Sequence, residues 1–312
     1  TPAKLITSTD DDFQFQFGTG IAPQNAHPLW IQNYTASTKS GYLANHLFWK
    51  LLNADHPLLR PAVRYKAQDP RLRYYVFRQV ASQPATSANI PCTYNNVACN
   101  FFYPGNGYLG RDRGDFSVIP ADIPVRATYG VYPVGGLFDQ DRPRAVTVND
   151  GRGQGVYPMI TAFGQLFTRA EAALTLNTGE VPKTLLEAGI RASVKKVMDF
   201  GAAQDATIPP GLVPTATDVD AYVKAVLANY DAADAPGELE LIGRQILITH
   251  FGNGIESYNA LRRTGYPVLP PPVDNGAVGD YPLRLVLPLD ETAANPNAPT
   301  GNLVNKAVFW DK

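Results

Sequence analysis

Little in this chain of 312 residues points to chemistry. No apolar run approaches ~18 residues, which excludes a membrane-spanning helix. The four histidines, His27, His46, His56 and His250, show no metal-ligand spacing, and the HExxH pattern of zinc proteases is absent. No G-x-S-x-G elbow marks a hydrolase nucleophile. Gly151, Gly153 and Gly155 superficially suggest a phosphate cradle, but no strand of the nucleotide-binding type precedes them and no lysine of a P-loop follows. Charge is scarce at 18% and almost balanced, 27 basic against 28 acidic residues, so neither nucleic acid nor an acidic substrate is suggested. Nothing therefore indicates catalysis, a metal or another cofactor. Cysteine occurs twice, as Cys92 and Cys99 in the polar run PCTYNNVACN. The favoured reading is one disulfide pinning that loop in an oxidising compartment, with two unrelated thiols as the alternative.

Glycine (26), proline (27) and tyrosine (16) are what the chain does have. That mixture suits helices joined by long irregular loops, with an aromatic that tolerates a wet surface. Alternation of Phe13, Phe15 and Phe17 with glutamines predicts a short strand. Leu43, Leu47 and Leu51 predict a short helix over 41–53, and the run 71–78 reads as extended. Residues 82–150 form a long irregular region rich in aromatics, and long loops of this kind are usually functional. From Pro158 the pattern turns helical. Ile160, Phe163, Phe167, Ala170 and Leu174 make one apolar stripe. Pro182 opens the next helix, Thr217 with Asp220 resembles a cap before a third, and Pro236 opens a fourth that runs into residues 243–267. There Ile242, Ile246 and Thr249 share a face, as do Ile255, Tyr258 and Leu261. Arg262 and Arg263 occupy the last turn, and Gly265 and Pro267 end it. Such helical hairpins bury their faces only by stacking. A proline-rich coat, with Leu283–Leu287 as a brief strand, completes the chain.

The expected fold is mainly α: stacked tetratricopeptide-like helix hairpins, long irregular loops and a few short strands. The expected division is a loop-rich segment 1–157, two helix hairpins 158–264 and a C-terminal coat 265–312. Glu171 lies among alanines on the first of these helices and is expected to form a structural ion pair with Arg262 or Arg263. Composition also nominates a ligand surface of aromatic faces with a few polar groups: Trp30, Tyr34, Tyr103, Tyr108, Arg111, Asp112 and Tyr129.

The wording of several stretches is more specific than their physics. Asp69-Pro70-Arg71-Leu72, the helix Phe167–Ala173 (FTRAEAA), Gly189–Ser193 (GIRAS), Glu256 and Tyr258 followed by Arg262–Pro267 (RRTGYP), Pro282-Leu283-Arg284 with Glu291 and Asn295-Pro296, and Val308–Asp311 (VFWD) occur in this order. Together, from Asp69 to Lys312, they resemble the SusD/RagB family of outer-membrane nutrient-binding lipoproteins. The resemblance implies a non-catalytic, surface-exposed, lipid-anchored binder of oligosaccharide or peptide on the outer face of the outer membrane. It implies a SusC-like TonB-dependent transporter as partner. It also implies that this chain is the C-terminal portion of one SusD-like domain, because no signal peptide, lipidated cysteine or earlier helix pairs are seen. The rival readings are a polysaccharide-degrading enzyme and a purely structural transporter partner without a ligand pocket.

Overall fold

The structure, a computed structural model, describes residues 6–35, 41–54, 67–82, 93–94, 97–98, 104–114, 123–272, 281–299 and 306–307. Its framework is a layer of helices. The first, α4 (Ala162–Leu176), starts where the Thr161 hydroxyl accepts the Gly164 amide at 3.1 Å and ends at Asn177 in the left-handed region, φ 52°. Helix α5 (Pro182–Gln204) has proline in its first turn, where a missing N–H goes unnoticed. Helix α6 (Ala216–Asp231) begins with a reciprocal capping box. Thr215 and Asp218 form it, with the side chain of each bonded to the backbone of the other. The cap thus lies two residues earlier than the Thr217–Asp220 spacing predicts, because Asp218 is the acid that can reach back from the third helical position. Asp234 caps α7 (Ala235–Thr249), and Asn253 caps α8 (Gly254–Thr264), which Gly265 terminates at φ 75°.

Helix α4 packs along α5 and α7, α5 along α6, and α7 against α8, so consecutive hairpins stack. Their shared core holds Phe163, Phe167, Leu186, Ile190, Val194, Val223, Val226, Ile242 and Ile246. Gly189 allows the closest approach in it. A Cβ there would lie 2.7 Å from the Phe167 ring, so the glycine of the GIRAS stretch sets the α4–α5 spacing.

The helical stripe predicted from Pro158 starts late. Residues Val156–Ile160 are a strand, β6, pairing antiparallel with β1 (Phe13–Gln16), and Ile160 is half exposed rather than part of the stripe. Pro158 fits because a proline carbonyl can still accept, and it does, from Asn253 Nδ2 at 2.8 Å. Ile255, expected on the inner face of α8, is also exposed. Ala260 is the buried residue of that helix. Over 71–78 the extended reading holds only for β2 (Val76–Phe77), which pairs with β5 (Thr128–Tyr129) and follows a helical turn, α3 (Leu72–Tyr75). Residues 281–288 are not in a strand, and α9 (Leu289–Ala294) follows them.

A loop-rich layer lies against the helices. It includes α1 (Pro28–Trp30), continued as a wider π turn over Ile31–Thr35, and α2 (Asn45–Leu51). Two further strands, β3 (Thr93–Tyr94) and β4 (Val97–Ala98), pair antiparallel with each other. The core of the loop-rich layer joins that of the helices. Tyr74, Tyr75, Tyr132 and Phe138 meet Val197 of α5 and Ile248 and Phe251 at the end of α7.

Candidate functional site

The DPRL stretch is where both layers meet. Arg71 is completely buried, yet all three nitrogens of its guanidinium donate hydrogen bonds. It forks Asp69 at 2.8 and 2.6 Å, donates to Ser193 Oγ of α5 at 2.9 Å and to Gln245 Oε1 of α7 at 3.0 Å, and lies 5.9 Å from the Tyr222 ring of α6. Gln245 in turn donates to the Tyr222 hydroxyl at 2.9 Å. Burial works against the arginine's proton, but the Asp69 charge beside it outweighs that and holds its pKa above the ordinary range. One guanidinium therefore ties a loop to three helices. It is a structural hub, and the sequence carries it only as a family motif.

Glu171 meets Arg263. Nε and Nη2 of Arg263 donate to its two oxygens at 2.6 and 2.8 Å, joining α4 to the end of α8. Arg262 lies instead over the Tyr258 ring, 5.1 Å from its centroid.

The nominated ligand residues lie mostly inside. The Trp30 indole is buried and donates to Asp150 O at 3.0 Å. The buried Tyr34 hydroxyl donates to Tyr129 O at 2.6 Å and accepts the Leu137 amide at 3.2 Å. Tyr108 is buried beneath Arg78, 5.1 Å away, and Asp112 accepts from Asn45 at 2.8 Å. Arg111 is half-buried, donates to the Tyr42 hydroxyl at 3.1 Å and covers that ring. Tyr129 stacks on Phe251 at 5.5 Å. Tyr103, Cys92 and Cys99 lie outside the described residues. Aromatics in a long loop thus serve first to anchor it, with an apolar bed for the ring and, for Trp30 and Tyr34, a carbonyl for the polar tip. The glycine-rich turn is held in the same way. Trp30 fills the space that a Cβ on Gly153 would occupy.

Several hollows open on the described surface. One, of about 390 Å³, lies between the DPRL stretch and the loop before α6, with Pro70, Leu212, Val213 and Pro214 as apolar wall and Gln68, Asp69, Arg73 and Asp218 as polar groups. One of about 240 Å³ lies over Gly135, Gly136 and Gly151, beside Arg152 and Asp205. A third, of about 140 Å³, lies between β6, α4, α7 and α8. Among the described residues no three histidine, cysteine or acidic side chains gather as a metal site, and no helix is long and apolar enough to cross a membrane.

The sequence model of SusD-like proteins, described as Susd and RagB outer membrane lipoprotein, matches residues 148–304, half of the chain. The chain belongs to the SusD/RagB family. Solved SusD homologs share the fold. One from Bacteroides fragilis has a TM-score of 0.57 at 20% identity, over 98% of this chain and 58% of its own. One from Bacteroides uniformis gives 0.56 at 18%, over 99% and 57%. A chitin-binding SusD homolog from Flavobacterium johnsoniae gives 0.52 at 19%, over 93% and 50%. The chain thus spans only half to three-fifths of the length of these SusD homologs. No curated protein matches. The family motifs now have physical content: DPRL is the hub, GIRAS supplies its serine and the close helix contact, and RRTGYP supplies the Glu171 partner and the helix stop.

Proposed function

We propose that this SusD-like chain is part of a non-catalytic nutrient-binding lipoprotein on the outer face of an outer membrane. It holds glycan or peptide and passes it to a SusC-like TonB-dependent barrel, over which it acts as a lid. The observation that carries the reading is the match of nearly the whole chain to the fold of SusD homologs, one of them chitin-binding. The hollow of about 390 Å³ suits that role, since it sets Gln68, Asp69, Arg73 and Asp218 beside the apolar Pro70, Leu212, Val213 and Pro214. The nominated residues Arg111 and Asp112, with Tyr42, would hold the loop surface in shape for ligand and barrel.

The experiment is a titration of the purified chain against a broad panel of oligosaccharides and peptides, with the products analysed by mass spectrometry and a parallel pull-down against the barrel. The expected result is saturable binding of one ligand class with no new product. Cleaved products would make it an enzyme, and capture by the barrel with no ligand in the panel would make it a scaffold.

A further inference from the structure

The hollow of about 140 Å³ between β6, α4, α7 and α8 shares no lining residue with the other two hollows. Its wall is apolar on one side, where Met159, Ile160, Ile246 and Ala260 line it. Across the ladder from Ile160 stands Phe13, and both are exposed, at 50% and 60%. The same hollow is lined by Gln165 of α4, His250 after α7 and Glu256 of α8. Among the described residues, neither the Gln165 amide nor the Glu256 carboxylate hydrogen-bonds to another protein group.

The signs of these groups are readable. His250 Nδ1 lies 2.9 Å from Ile246 O. Only a donor belongs opposite a carbonyl, so the proton is on Nδ1, and Nε2, turned toward Gly164, is an acceptor. Burial keeps the ring neutral at pH 7 by lowering its pKa. Arg263 also lines the hollow, but Glu171 offsets its charge. What remains is an acceptor-rich rim with a net negative charge, where the field of Glu256 also reaches His250 and Arg263, beside an aliphatic wall whose Ile160 pairs across the ladder with Phe13.

We propose that this cleft is a binding subsite for one pyranose unit of a neutral oligosaccharide. Glu256, His250 Nε2 and the Gln165 carbonyl accept its hydroxyl protons, while its C–H face rests on Ile160 and Phe13. Donor groups on the ligand match acceptors on the protein, and the volume admits a single ring. Glu256 repels uronates and peptide carboxylates. The proposal rests on the nutrient-binding reading and narrows it to neutral glycans at a second place.

The test is isothermal titration of the whole chain at pH 7 with cellotriose, maltotriose, chitotriose and trigalacturonate, repeated with Gln165→Ala, Glu256→Gln and Phe13→Ala. These positions are exposed or half-exposed, and melting curves check that the variants fold. At least one neutral trisaccharide should bind. Gln165→Ala, which removes an acceptor, and Glu256→Gln, which keeps an acceptor oxygen but removes its charge, should each weaken it about tenfold. Trigalacturonate should bind more weakly than any neutral ligand that binds. A neutral trisaccharide held equally well by wild type and all three variants overturns the subsite and leaves the nutrient reading standing, as does binding of peptides alone. Binding of no sugar and no peptide overturns both.

Discussion

Arg71 keeps its charge without water because protein groups accept from four of its five N–H donors, two of these bonds going to the Asp69 carboxylate. The arrangement needs a planar fork, not merely a cation. Arg71→Lys should therefore lower stability by about 3–5 kcal/mol, since an ammonium cannot meet Asp69, Ser193 and Gln245 at once. The measurement is the urea midpoint at unchanged slope, and an unmoved midpoint would deny the residue its role. A second residue makes stability depend on pH. His27 is buried, with Nδ1 accepting the Leu29 amide at 3.1 Å, and burial lowers its pKa from 6.5 to about 4. The folded protein thus resists a proton that the unfolded chain accepts. This contribution is complete above pH 6.5 and is lost as pH falls through about 4, by on the order of 3 kcal/mol. His27→Asn retains a side-chain acceptor for the cap and removes the titration. Its stability curve should be flatter than wild type over that interval, and parallel curves would contradict the assignment.

At the scale of elements, the helices are held in register by polar pairs at their ends as much as by their stripes. Glu171 is mostly buried while Arg263 is 43% exposed, so the pair is screened on one side. Glu171→Gln should destabilise by about 1–2 kcal/mol, below the value for a fully buried pair, because the arginine can turn to water. Thermal melts of Glu171→Gln and Glu171→Ala check this, and two unchanged melting temperatures would exclude the pairing. The elements also show which patterns the sequence displays well. Periodic apolar stripes recover α4–α7 because a helix in a stacked layer buries one face along its whole length. Residues 156–160 mislead because a short strand beside a helix start has the same apolar content, and only the pairing with Phe13–Gln16, more than a hundred residues away, settles it. The Thr215–Asp218 box is visible in the sequence, but Thr217–Asp220 offers the same spacing, and only the backbone distinguishes the two.

For the whole molecule, the irregular layer and the helical layer share one core. Phe251, at the end of α7, stacks on Tyr75 at 4.6 Å and on Tyr129 at 5.5 Å. Phe251→Ala should cost about 3 kcal/mol by leaving a cavity at the seam, and both layers should then melt earlier and together. Far- and near-ultraviolet circular dichroism measure this, and separate transitions would show that the layers fold independently. The sequence by itself determined the helical hairpins, their stops at Gly265 and Pro267, and the family, because local periodicity, caps and ordered motifs are written along one stretch of chain. Only the tertiary structure decided that the loop aromatics turn inward, that Arg263 rather than Arg262 meets Glu171, and that Gln165, His250 and Glu256 rim one cleft. Those outcomes depend on which distant surfaces compete for the same side chain, and contacts between segments far apart in the chain leave no period to read.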